Sequence, residues 1–215
     1  MLQQYTQIQK TVPSALAANH PTLKLYPKQA LYYHGDRSES LYRLQEGLIR
    51  LTRMTSEGRV ITLRHVLPGD YFGEEVLLQL RRSDSAEALT EAVVEVIDVS
   101  RIPADDLLDI AQSLTLQLKR QLDYEYHLHA GNLKQRVARY LYHLVQTPLA
   151  SVAPSGHTVV HAKHELIAEG TASTRESVSK LMSELRSEKI VQTKYCSVVI
   201  LDMDALQYLA EEGEY

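Results

Sequence analysis

The stretch Ser173–Arg186 constrains this chain more than any other, because its two sides are suited to different surroundings. Val178, Leu181, Met182 and Leu185 recur at i, i+3, i+4 and i+7, the spacing of one apolar stripe on a helix. The stripe predicts a helix packed on a small core. Opposite it, Glu176, Ser179, Lys180 and Ser183 form a ridge of short or charged side chains with Arg175 beside it. A helix lying in a DNA major groove needs such a ridge.

Ser173-x-x-Glu176 also has the form of a capping box, in which Glu176 is only a helix starter. The flanking residues favour the first reading. Lys163 to Thr171 predicts a short preceding helix with Ile167 and Ala168 inward, followed by a tight Ala172-Ser173 junction. Beyond the stretch, Ile190–Lys194 and Ser197–Leu201 are β-branched runs on either side of Tyr195-Cys196, which predicts a hairpin. Helix, turn, helix and hairpin in that order describe a winged helix-turn-helix.

The remainder of the 215 residues leaves room for a second domain. From Thr22 to Arg101 short apolar runs are punctuated at Gly35-Asp36, Gly47, Gly58 and Pro68-Gly69-Asp70, a strand-and-turn texture. Ile49 and Leu51 alternate with Arg50 and Thr52. Ile61, Leu63 and His65 alternate with Thr62 and Arg64, so both runs predict half-buried strands joined at Ser56-Glu57-Gly58. Val93–Val99 adds another, and so many short strands predict a β-barrel or jelly roll. After Pro103 the pattern becomes helical: Leu107, Ala111, Leu114, Leu118 and Leu122 step by three and four, a register that can continue through Tyr126, His129, Leu133 and Val137. This predicts a long helix with a seam for dimerisation, interrupted at a Gly131-Asn132 hinge. The fold class is α+β, with an N-terminal domain at 1–102, a dimerisation helix at 103–130 and a DNA-binding domain at 131–215.

Charge narrows the functions. A net charge of −4 excludes a uniformly basic protein, so a nucleic-acid site has to be local. Residues 131–201 carry nine Lys/Arg against five Asp/Glu, which meets that need. The single cysteine, Cys196, excludes an intramolecular disulfide and a four-cysteine metal site, as expected in a reducing cytoplasm. The first residues lack the pattern of an export signal, and no apolar run is long enough to span a membrane. His127-x-His129 and the group His157, His161 and His164 repeat no known ligand spacing, and no catalytic constellation is present. Neither metal, cofactor nor enzymatic activity is expected.

Leu41-Tyr42-Arg43-Leu44-x-x-Gly47, Pro68-Gly69-Asp70-Tyr71-Phe72-Gly73-Glu74 and Thr174-Arg175-Glu176-Ser177-Val178, in this order, resemble the CRP/FNR family of transcription factors over about residues 22–201. The resemblance implies a cyclic-nucleotide-binding-like barrel and a homodimer on palindromic promoter DNA. It also implies a contact with RNA polymerase through the loop at 147–158. On the helix within Ser173–Arg186, Arg175 would hold a guanine, Glu176 a cytosine amino group, and Lys180 a base or phosphate. Thr174 and Ser177 would position phosphates, with Ser179 beside them. In cyclic-AMP-binding members a Gly-Glu pair meets the ribose, and an Arg-Ser pair about ten residues later holds the phosphate. Gly73 and Glu74 match the first pair. Counted without gaps, the second falls on Asp84-Ser85, where a carboxylate would repel phosphate; a shift of two or three residues would bring Arg81 or Arg82 there instead. The adenine-reading pair falls on Gln121-Leu122. The candidate pocket is thus Gly73, Glu74, Arg82, Ser85 and Gln121. The sequence is most similar to members that activate transcription without a nucleotide, the alternative being dependence on cyclic AMP or another small effector. Leu166 and Gly170-Thr171 depart from the family pattern and imply a short or loose first helix.

Overall fold

The computed structural model describes residues 20–104 and 106–211, with the side chain of His127 outside that description. They form two compact units, residues 20–51 with 64–120 and residues 52–63 with 121–211. Each is built around its own core.

The sheet-rich part runs over residues 22–97, all in the first unit except 52–63, which are counted with the second. Strands β1 (Thr22–Leu25), β2 (Ala30–Tyr32), β3 (Leu41–Glu46), β4 (Ile49–Met54), β5 (Val60–Val66), β6 (Tyr71–Phe72), β7 (Ser85–Ala88) and β8 (Ala92–Ile97) form two sheets in the orders β1-β8-β3-β6 and β2-β7-β4-β5. This is a jelly-roll order. Leu44, Ile49, Leu51, Val66, Phe72 and Val94 share its core, each fully removed from water. Burial of each such side chain contributes about 1.5–3 kcal/mol.

The alternation read from the sequence holds over Ile49–Leu51 of β4, breaks at the buried Thr52 and fails in β5. Ile49 and Leu51 are buried, but in β5 the buried positions are Thr62 and Val66, while Ile61, Leu63 and His65 are only partly covered. A polar residue can take an inward position when an opposite charge meets it there. Arg64 does so, donating to both carboxylate oxygens of Glu74 at 2.6 and 2.7 Å.

Helix α1 (Asp106–His129) follows. Its face toward the jelly roll is set by Asp106, Ile110, Ser113 and Gln117, all buried, with Leu114 half-buried on the cluster of Leu41, Tyr71, Val76 and Ile97. The Pro68-Gly69-Asp70 turn anchors the same helix. Asp70 accepts from the Leu67 amide at 2.9 Å and from Arg120 at 2.5 Å. Burial pushes the Asp70 carboxyl up, against the pull of Arg120.

The seam does not continue past α1. Asn132 leaves helical geometry, accepts from the Gln135 amide and receives the Gln135 side chain in return, so a capping box starts a new helix, α2 (Leu133–Val145). Val137 therefore belongs to the core of the second unit, at 0% exposure. The rest of that unit is β9 (Ala150–Val152), β10 (Thr158–Val160), α3 (His164–Gly170), α4 (Arg175–Ser187), β11 (Val191–Lys194), β12 (Ser197–Ile200) and α5 (Met203–Glu211), with sheet order β11-β12-β10-β9. Residues 147–158, read as a loop, contain most of a hairpin: β9 pairs antiparallel with β10, and Pro154, Ser155 and Gly156 lie exposed at its turn.

Candidate nucleic-acid interface and effector pocket

Helix α4 buries Val178, Leu181, Met182 and Leu185 as its stripe predicts. Its cap differs from the predicted one. Thr174, not Ser173, takes the extended N-cap conformation, and its hydroxyl accepts from the Ser177 amide at 3.2 Å. Both residues can cap; the left-handed Ala172 and the bond from the Ser173 amide to Ala168 O, at 2.9 Å, tie Ser173 into the turn instead. Glu176 is thereby released from the capping box and is exposed, as are Arg175, Ser177 and Lys180. Among the described residues, no salt bridge engages Arg175, Glu176 or Lys180. Ser179 is half-buried, and its hydroxyl meets His164 Nδ1 at 2.9 Å.

The helix preceding α4 is short but not loose. A methyl group on Gly170 would fall within the ring of Tyr140, and the Tyr124 hydroxyl donates to Gly170 O. Thr171 is fully buried and donates to Ile167 O at 2.7 Å. A tyrosine ring thus occupies the space that a larger side chain at 170 would fill. Strands β11 and β12 form the expected wing in antiparallel register, with Tyr195 at its turn 94% exposed. Sequence reasoning passed over Tyr195 and His164. An aromatic residue in a two-residue turn was a readable signal; the His164–Ser179 contact spans 15 residues and gave none.

The candidate effector pocket presents a different chemistry. Arg82 has a side chain only 1% exposed and donates to Gly73 O and Ser40 O, each at 2.7 Å, with Glu75 at 3.5 Å. Its guanidinium lies 4.4 Å from the centroid of the Tyr32 ring and 5.2 Å from that of Tyr42. Gly73, with φ 75°, closes this arrangement, because a Cβ there would stand 2.5 Å from Arg82 Nη1. Glu74 is held by Arg64. Ser85 accepts from the His34 amide at 2.9 Å, and Arg81 reaches Gly35 O at 2.8 Å. Asp84 is buried and accepts from the Tyr32 hydroxyl at 3.1 Å. Burial, with the nearby Glu75 carboxylate, pushes Asp84 up to about 6. Gln121 lies half-buried on α1, in the other unit. The structure therefore brings Gly73, Glu74 and Arg82 together and ties each to protein partners. Among the described residues, no group of three His, Cys, Asp or Glu could hold a metal ion, and no helix is long and apolar enough to cross a membrane.

A jelly roll with this pocket, followed by a winged helix with a free polar ridge, defines a DNA-binding regulator carrying a sensor-type domain. Comparison with known proteins agrees. Residues 22–113 match the cyclic nucleotide-binding domain model, and residues 135–209 match the Crp-like helix-turn-helix domain model. The chain is 46% identical over 180 residues to the transcriptional regulator LdrP of Thermus thermophilus, covering 84% of this chain and 92% of that one. It is 38% identical to SdrP of the same species, over 79% of this chain and 83% of that one. A crystal structure of a CRP-family transcriptional regulator, also from Thermus thermophilus, superimposes with a TM-score of 0.85 at 44% identity, covering 87% of this chain and 96% of that chain. The chain belongs to the CRP/FNR family of transcriptional regulators, proteins that bind DNA rather than catalyse reactions.

Proposed function

We propose that this regulator is a homodimeric activator that binds a palindromic promoter site in the cytoplasm without cyclic AMP. The observation that carries the reading is the closed pocket. Arg82, the cation best placed to meet a cyclic phosphate, is already buried against the Tyr32 and Tyr42 rings, with Nη1 donating to Gly73 O and Nη2 to Ser40 O. Asp84 adds a carboxylate where the ungapped pattern calls for arginine. A nucleotide would have to break these contacts before gaining its own. Cyclic AMP activates a more distant relative, the global regulator CRP of Escherichia coli, which is 25% identical over 85% of this chain. Calorimetric titration of the purified protein with cyclic AMP tests the difference: no heat of binding at micromolar nucleotide is expected, and a saturable isotherm would favour the cyclic-AMP-dependent alternative.

Dimerisation is supported by α1, whose Leu118, Leu122 and Tyr126 stand at successive i+4 positions with 59%, 57% and 56% exposure in the single chain. Apolar side chains in such a row favour a paired helix. Leu114 contributes less than the sequence pattern implies, since it packs partly on its own jelly roll. The functional division is N-terminal domain 1–102, dimerisation helix 103–130 and DNA-binding domain 131–215; residues 1–19 and 212–215 lie outside the described part. On α4, Arg175 reads guanine and Glu176 a cytosine amino group, Lys180 meets base or phosphate, and Thr174 and Ser177 position the backbone. Ser179 lies in the same ridge. The exposed tip of the β9–β10 hairpin, within 147–158, is the surface offered to RNA polymerase.

A further inference from the structure

The serines of α4 are not equivalent. Ser177 takes a hydrogen bond from Thr174 at 3.0 Å, and Ser183 donates to the backbone oxygen of Ser179 at 3.0 Å. The Ser179 hydroxyl has one partner among the described residues, His164 Nδ1, which comes from the preceding helix. An imidazole nitrogen can be an acceptor or a donor, whereas a hydroxyl supplies one proton and two lone pairs. Whatever His164 takes from Ser179 fixes what Ser179 has left.

We propose that His164 sets the hydrogen-bond polarity of Ser179 and thereby determines which base edge the recognition helix accepts at that position. The inference rests on the proposed role of α4 as the base-reading helix. In the neutral ring that carries its proton on Nε2, Nδ1 has a lone pair, so Ser179 donates inward and turns lone pairs outward. It then accepts from the amino group of cytosine or adenine. With His164 protonated on both nitrogens, Nδ1–H donates into Ser179 Oγ and the hydroxyl proton turns outward, toward the acceptors of guanine or thymine.

The surroundings decide which form prevails. Burial lowers the His164 value, and the Arg175 guanidinium lowers it further, so the neutral form is favoured in free protein. Lys163 and Glu165 flank His164 in its own segment, and Glu176 and Lys180 are the other charges in the first turns of α4. Helix α2 also packs on α3, placing the Tyr140 ring against Gly170 at the far end. The phosphates of a bound duplex act in the opposite sense, favouring the imidazolium. Acidification in the complex would therefore change base preference as well as overall affinity.

The test measures binding of the full-length protein to single-base variants of its site at about pH 5.5 and about pH 8. Wild type, His164→Gln, Ser179→Ala and Arg175→Ala are compared. At one position per half-site, wild type should favour cytosine or adenine at the higher pH and lose that preference at the lower, a change of about fivefold in the affinity ratio. Ser179→Ala and His164→Gln should abolish the pH response of the ratio. A purely structural histidine would instead weaken all sequences alike. The inference is overturned if the wild-type ratio is independent of pH, or if either of those two variants retains its pH dependence. Arg175→Ala separates the two levels: relaxed preference at a guanine with no pH response elsewhere leaves α4 as the reader and refutes only the role of His164. Unchanged preference in every variant refutes both.

Discussion

Two clusters of charged side chains among the described residues, one in the jelly roll and one on α4, differ in whether their hydrogen bonds close within the protein. In the jelly roll, Arg64 closes on Glu74, Arg82 on two backbone carbonyls and Glu75, and Asp84 on Tyr32. On α4, Arg175, Glu176 and Lys180 face water. A buried charge is tolerable only when paired, so the first cluster is part of the fold, whereas the second leaves donors and acceptors free for another molecule.

The sharpest way to break this comparison is to remove the inward cation. Arg82→Leu should remove the side-chain donor from the Gly73 and Ser40 carbonyls and the cation from beside Glu75, costing about 3–5 kcal/mol in urea unfolding. If Arg82 were held in reserve for a phosphate, the loss would be small. Next in size is the paired helix. Leu118→Glu combined with Leu122→Glu puts like charges into an apolar seam and should cost several kcal/mol of association. Sedimentation velocity should then find monomer at micromolar concentration, and a persistent dimer would move the interface elsewhere.

At the open cluster the effects should be smaller and should show in specificity. Arg175→Ala is expected to cost about 1–3 kcal/mol on the matched site and to relax preference at one guanine per half-site, half-sites lying about 34 Å apart. Lys180→Ala, as a phosphate contact, should weaken all sequences alike and reduce the salt slope by about one per chain. Binding to single-base variants at two salt concentrations tells them apart.

The smallest expected effect lies inside the closed cluster. Asp84 takes up its proton at about 6 when folded, above the ordinary carboxyl value, so between those two values the folded protein holds a proton that the unfolded chain has released. Stability from this group is full below about pH 4, declines as pH rises toward about 6 and is flat above. Asp84→Asn should remove that decline and raise stability at neutral pH by about 1–2 kcal/mol, measured by unfolding across the range. A variant that is less stable at pH 7 would mean that the carboxylate is a net asset where it lies.

The open cluster was the more legible of the two. A stripe of Val, Leu and Met at helical spacing reports burial directly, and the polar ridge follows by exclusion. The cap missed by one residue because Ser173 and Thr174 are equally able to accept an amide, and only the turn geometry chooses. In β5 the alternation points to Ile61, Leu63 and His65 as inward, and it fails where Arg64 turns to the half-buried side to meet Glu74, because periodicity cannot report a partner ten residues away. The break at Gly131-Asn132 is legible because glycine weakens a helix interior; what the period hides is that Leu133 and Val137, which keep it, belong to a separate helix started by the Asn132–Gln135 capping box. For the pocket, the sequence offers Asp84, Arg81 or Arg82 at the phosphate position, because residue spacing does not report where a loop shifts. Only the structure shows that the Arg82 guanidinium lies on Gly73 O and Ser40 O.

If Arg82 needs no nucleotide phosphate and α4 is ready for DNA, purified, nucleotide-free protein should retard a cognate promoter fragment in a gel. The same dissociation constant is expected with and without micromolar cyclic AMP. Retardation only after cyclic AMP is added would contradict the account and make Arg82 or Arg81 the phosphate ligand.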